Sequence, residues 1–127
     1  MKNLEKLTFA VVILAAAFLF ANVKDVRAQR SGQMDWYGTV DDVVEIRIRN
    51  RNARVTTISG RGYNDDRFSF NGRIPQQNVN VRVDKKDGRG KVFIVQQPTR
   101  RNNYTTIVRI EDLKGREDRY HFVLRWD

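Results

Sequence analysis

Apolar and polar residues alternate in short stretches along residues 29–127, and no ten or more of them repeat at helical spacing. In "VVEIRIRN", Val44, Ile46 and Ile48 share one face, while Glu45, Arg47 and Arg49 take the other. "NVNVRVDK" does the same with Val79, Val81 and Val83, and "YTTIVRIE" with Tyr104, Thr106, Val108 and Ile110. The C-terminal "RYHFVLRW" aligns Tyr120, Phe122, Leu124 and Trp126 opposite Arg119, His121, Val123 and Arg125. A period of two is the mark of a strand with one face on a core and one in water.

"KVFIVQQ" breaks the alternation. Val92 to Val95 are apolar in succession, which predicts a strand covered on both faces. Weaker strand signals run through "DWYGTV", "RVTTIS" and "RFSF". Asn71-Gly72 after the last of these predicts a two-residue hairpin turn into "RIP". Turn chemistry separates the runs at "NRN" (50–52), "GRGYNDD" (60–66), "KKDGRG" (85–90), "PTRRNN" (98–103) and "LKGRED" (113–118). "GRGKV" reads as a hairpin turn and not as a phosphate cradle, because a strand follows it where a helix is needed. Seven or eight short strands at this spacing predict an all-β domain: a single antiparallel β-sandwich with an immunoglobulin-like strand count, or a small β-barrel. The cysteine–tryptophan–cysteine marks of antibody domains are missing, and no motif identifies a family.

The first 28 residues change the picture, since they have the form of a cleaved signal helix. Lys2 and Lys6 precede an apolar run from Phe9 to Ala21, and Val26 and Ala28 supply small residues for cleavage before Gln29. The rival reading is an uncut membrane anchor. Leu7 to Val23, the stretch between charges, spans only about 26 Å as a helix, against a hydrocarbon core of about 30 Å. Cleavage is therefore expected, with no stable membrane span afterwards. Residues 1–28 read as signal peptide, 29–35 as a short flexible lead and 36–127 as one β domain. The chain has no cysteine, so disulfides and thiolate chemistry are excluded and the core alone must hold the fold. Export without disulfides points to a bacterial periplasmic or secreted protein.

The whole chain carries 24 basic and 15 acidic residues. Removing residues 1–28 takes away four basic and two acidic ones, leaving 20 and 13, a net charge of +7. Sixteen of those 20 are arginines, whose planar fork pairs bidentately with carboxylate, phosphate or sulfate. Arg47, Arg82, Arg109 and Arg125 are predicted to point outward from strands. Most aromatics fall on the core side, so no stacking platform for nucleic acid is expected. Loops at the end of a β domain commonly carry ligands, which makes Arg100, Arg101, Asn102 and Asn103 the candidate binding loop.

Catalytic signals are weak. His121 is the only histidine, on a polar face, with no second histidine to share a metal. Acidic pairs occur at Asp41-Asp42, Asp65-Asp66, Glu111-Asp112 and Glu117-Asp118, but adjacent strand residues point opposite ways and do not make a dyad. Asn64, Asp65 and Asp66 are a remote calcium candidate without the spacing of a known loop. The expectation is a non-catalytic exported module with no cofactor. Its basic surface would meet an anionic envelope partner: a polysaccharide, a lipid head group or an acidic protein. The alternative is an envelope-assembly protein docking by edge-strand pairing through the C-terminal "LRWD", and a carboxylate-based hydrolase is a remote third.

Overall fold

The computed structural model describes residues 31–76 and 79–127; the expected signal segment lies outside them. Six strands make up most of that chain: β1 (Gly32–Arg49), β2 (Asn52–Gly72), β3 (Arg82–Asp87), β4 (Lys91–Gln96), β5 (Thr106–Asp112) and β6 (Asp118–Trp126). A short 3₁₀ turn, Arg100–Asn102, stands between β4 and β5.

All six strands belong to one antiparallel sheet, with β1 as its spine. β2 pairs along the whole of β1, from Gly32 opposite Gly72 to Arg49 opposite Asn52. On the other edge of β1, β6 covers Gly32–Val40 and β5 covers Asp42–Ile48. β5 and β6 are thus one interrupted ribbon, and residues 113–117 are an excursion from it opposite Asp41. β3 lies on β6 and β4 on β5, forming a second interrupted ribbon broken between Asp87 and Lys91.

The interruptions line up, and the sheet curls along them into a half-barrel. On β1 the register shifts between Asp41 and Val43 and again before Val44, with Asp42 at φ 64°. Opposite, Gly60 and Gly62 of β2 have φ 76° and 90°, left-handed values that glycine adopts without strain. Such bulges bend a strand and increase its twist. The bend is large. A straight strand of 21 residues would hold its ends about 65 Å apart, yet Arg51 Nη2 donates to the Gly72 carbonyl at 2.9 Å. On the opposite rim Gln97 clamps Val81: its Oε1 accepts from the Val81 N–H at 2.9 Å and its Nε2 donates to the Val81 carbonyl at 2.8 Å.

Curling places the inward side chains of both halves in one core. Met34, Trp36, Val40, Phe122, Leu124 and Trp126 come from the β6 half, and Val44, Ile46, Ile48, Val108 and Ile110 from the β5 half; all are buried. Burying side chains of this kind contributes about 1.5–3 kcal/mol each. Trp36 stacks on Phe122 at 5.5 Å between centroids. Its indole lies over Gly38, where a Cβ would stand 2.4 Å from the ring, so that position has no room for a side chain.

The all-β, antiparallel character and the inward faces of "VVEIRIRN", "TIVRIE" and "RYHFVLRW" are as the alternation predicts. Several boundaries are not. "DWYGTV" and "VVEIRIR" fuse into the 18-residue β1, and "RVTTIS" runs through "GRGYNDD" into "RFSF" as the 21-residue β2. Bulges absorb the polar residues that resemble loops. Asn71-Gly72 closes β2 and makes no hairpin, and β3 and β4 run end to end, so "GRG" is a jog in a ribbon. Residues 32–35, expected within a flexible lead over 29–35, belong to β1, which begins at Gly32 and buries Met34 fully. β4 is an edge strand and not a doubly covered one: Phe93 is 36% and Val95 47% exposed. The C-terminal strand, which the edge-pairing alternative would place at an edge, sits between β1 and β3.

Candidate functional site

On the outer face of the β5 half, the alternation of β1 turns Glu45, Arg47 and Arg49 away from the core. Arg47 stands directly opposite Arg54 of β2, and Arg49 opposite Asn52. Together with Thr105 these residues line a shallow cleft of about 350 Å³. Like charges directly opposite each other on a sheet destabilise it by a few tenths to about 1 kcal/mol. Nothing nearby relieves the cost, since Arg47, Arg49 and Arg54 make no ion pair or side-chain hydrogen bond among the described residues. The next row inward is different: Arg109 lies opposite Glu45 and bonds it through Nε at 3.0 Å and Nη2 at 2.6 Å. Arg109 is therefore committed, while the three arginines beyond it are open.

The candidate loop divides in a similar way. Asn102 is a structural residue. Its Oδ1 accepts from the Thr99 and Thr105 N–H groups at 2.9 and 3.0 Å, and its Nδ2 donates to the Gln97 carbonyl at 2.9 Å. Asn103 closes the turn with φ 55°, a left-handed value asparagine tolerates. Arg100 and Arg101 are exposed and without ion pairs among the described residues. The loop reaches the cleft through Thr105, which Asn102 positions.

Arg82 and Arg125 lie in the β6 half, so the four outward arginines of the sequence pattern do not form one patch. They face each other across β3 and β6 and are balanced by acids. Arg125 approaches Asp84 at 3.5 Å, Arg82 approaches Asp127 at 3.8 Å, and Lys86 pairs with Asp84 at 2.7 Å. The hydrogen bond from Lys86 leads in holding the Asp84 carboxyl below its ordinary range, with Arg125 adding to it.

His121 belongs to this same outer face and is more engaged than a solvated surface histidine. Its Nε2 lies 2.9 Å from Asp35 Oδ1, its ring stacks on Tyr37 at 4.1 Å, and Arg67 covers the Tyr37 ring at 4.9 Å. Gln33 also donates to Asp35, at 3.1 Å. Burial pushes the Asp35 carboxyl up, but the hydrogen bonds from His121 and Gln33 and the charges of His121 and Arg125 more than offset it, leaving it lowered. Only the long-range register brings these groups together, and nothing local in the sequence signals it.

Among the described residues, the crease holds the one cluster built around a buried carboxylate. Asp112 is 1% exposed. Its Oδ1 accepts from Arg89 Nε and Nη2 at 3.0 and 2.9 Å, and its Oδ2 accepts from the Tyr120 hydroxyl at 2.9 Å. Arg89 also donates to the Arg116 carbonyl, and its N–H donates to Asp118 Oδ2 at 2.8 Å. Gly88 and Gly90 explain the "GRG" spacing, since a Cβ at either would fall within 2.5 Å of Tyr120. Burial, then the bond to Asp112, pushes the Tyr120 hydroxyl well above its ordinary value. The bond to Asp112 likewise raises Arg89.

Other acidic residues have local duties. Asp41 Oδ2 accepts from the Arg61 N–H at 2.9 Å, and Asn64 Oδ1 accepts from the Asp65 N–H at 2.9 Å. Asn64, Asp65 and Asp66 are exposed on β2, and among the described residues no three metal-ligating side chains gather. Comparison with protein-family models, curated proteins and solved structures finds no match for this chain.

Proposed function

We propose that this chain is a small exported, non-catalytic binding module that holds an anionic group of an envelope partner in the Arg47–Arg49–Arg54 cleft. One observation carries the reading: two arginines stand directly opposite each other, a third lies two residues along, and none has an acidic partner among the described residues. An arrangement that costs stability and is not relieved internally gains what it lacks from an external anion. Export rests on the N-terminal charge and apolar pattern. The non-catalytic part rests on the carboxylates, whose leading members cap backbone groups or hold the crease.

Strand addition is the second reading, and it moves from the C-terminal strand to β2, whose outer edge has no partner strand among the described residues. The glycine bulges and the arginines Arg54, Arg61 and Arg67 along β2 are features that discourage such pairing, so the cleft is preferred.

The experiment is retention of residues 29–127 on a sulfated polysaccharide column across a salt gradient. Elution well above about 100 mM salt is expected, with markedly earlier elution for an Arg47→Ser/Arg54→Ser variant. Release below that salt level, or identical behaviour of the two proteins, overturns the reading.

A further inference from the structure

The arginine cleft is not alone on its face. β4 is the far strand of the same half, and its Phe93 stands opposite Arg109, which stands opposite Glu45. Cross-strand partners share a face, so Phe93 points to the same side as Glu45 and Arg47. Val95, two residues on at the β4 bulge, is 47% exposed, and Phe93 is 36% exposed. An apolar margin on β4 and a basic margin on β1 and β2 thus lie about 10–15 Å apart, two or three strand spacings. Between them is the Arg109–Glu45 pair, whose charges cancel. Lys91 and Glu111 face each other in the next row. The face as a whole is positive and carries exposed apolar groups.

We infer, on the basis of the anion-binding reading, that this face docks on an anionic lipid bilayer. A soluble polyanion would use the arginines and leave Phe93 and Val95 in water. A bilayer surface uses both, with lipid phosphates accepting from the guanidinium forks and the interfacial layer taking the ring and the methyl groups. Charge complementarity selects anionic lipid, and a single curved patch on one half of the sheet fits a surface contact better than a wrapped chain. The outer face of the β6 half lacks the combination: Arg82 and Arg125 are met by acids, Arg67 lies over Tyr37, Tyr37 stacks on His121, and Arg119 stands apart with no exposed apolar ring beside it among these contacts.

The test is flotation of residues 29–127 with vesicles of phosphatidylcholine alone or with about 30% phosphatidylglycerol. Recovery with the anionic vesicles only is expected. Arg47→Ser/Arg54→Ser should reduce both flotation and column retention. Phe93→Ser/Val95→Ser should reduce flotation about tenfold while leaving retention on the sulfated column unchanged. Both residues are exposed, so folding should survive, and the melting curve checks it. A Phe93→Trp variant gives an independent readout, because Trp36 and Trp126 are buried: its emission should shift to the blue on anionic vesicles and be quenched by brominated lipid. Retention on the column with no flotation makes the partner a soluble polyanion and overturns the docking inference alone. Loss of both in the wild-type protein overturns the binding module as well. Flotation insensitive to the Phe93/Val95 change also overturns the inference.

Discussion

The two halves of the sheet share one core but present unlike outer faces. On the β6 half, charge is met by charge, hydrogen bond or ring: Asp84 by Arg125 and Lys86, Arg82 by Asp127, Asp35 by its bond to His121, and Arg67 by Tyr37, with Arg119 standing apart. On the β5 half Arg109 is the one outward arginine so matched among the described residues, while Arg47, Arg49 and Arg54 crowd one corner and Phe93 and Val95 lie open at the other. Both faces come from the same alternating pattern and the same residue types. The difference teaches that arginine count identifies no site; the informative feature is arginine left unmatched by its cross-strand neighbours.

The two halves stand or fall together through a shared core and crease, and the crease is where they can be separated. Asp112→Ala should have the largest effect, a loss of about 3 kcal/mol in denaturant unfolding, because it strands the Arg89 guanidinium and the Tyr120 hydroxyl together. Asp112→Asn should lose less. Hydrogen exchange should rise in β5 and β6 alike. A rise confined to β5 would mean that the halves are held by the core and not by the crease.

Acid and alkali probe the β6 face and the crease in opposite directions. Asp35 is held below its ordinary value of 3.8, so its contribution is complete above that value and is lost as pH falls through the lowered one. Asp35→Asn should cost under about 1 kcal/mol at pH 7 and flatten the stability profile below about pH 4. Tyr120 is raised above 10.0, so its contribution is complete below that value and is lost as pH climbs through the raised one. Tyr120→Phe should cost about 1 kcal/mol at neutral pH and flatten the alkaline limb instead. Equal flattening of both limbs in either variant would contradict the separate placement of the two groups.

The inward half of each strand was legible because burial enforces period two wherever one face meets the core, as Val44, Ile46 and Ile48 show. Strand ends were not, because Asp41-Asp42 and Gly60–Gly62 serve as bulges inside long strands while looking like turns. The "VFIV" run misled for a related reason: an apolar run says nothing of whether a sheet continues beyond it, and here β4 is the rim. Arg47 and Arg109 were both legible as outward residues. Which of them is free depends on facing Arg54 or Glu45, a matter of register across strands far apart in sequence. The Asp35–His121 and Arg89–Asp112–Tyr120 groupings were hidden for the same reason.

Arg54→Glu would make the β5 half resemble the β6 half, and its effect is the smallest and the most discriminating. A carboxylate opposite Arg47 replaces repulsion with attraction in the same cross-strand pair. Stability should rise by about 0.5 kcal/mol, which in a domain near 100 residues is about 2–4 °C in Tm. Retention on the sulfated column should fall in the same variant. Opposed changes are what a binding site predicts, because residues arranged for a ligand are not arranged for the fold. A variant that loses stability along with retention would mean that Arg47 and Arg54 already rest without conflict in water. The cleft would then be ordinary solvated surface, and the difference between the two faces would carry no functional information.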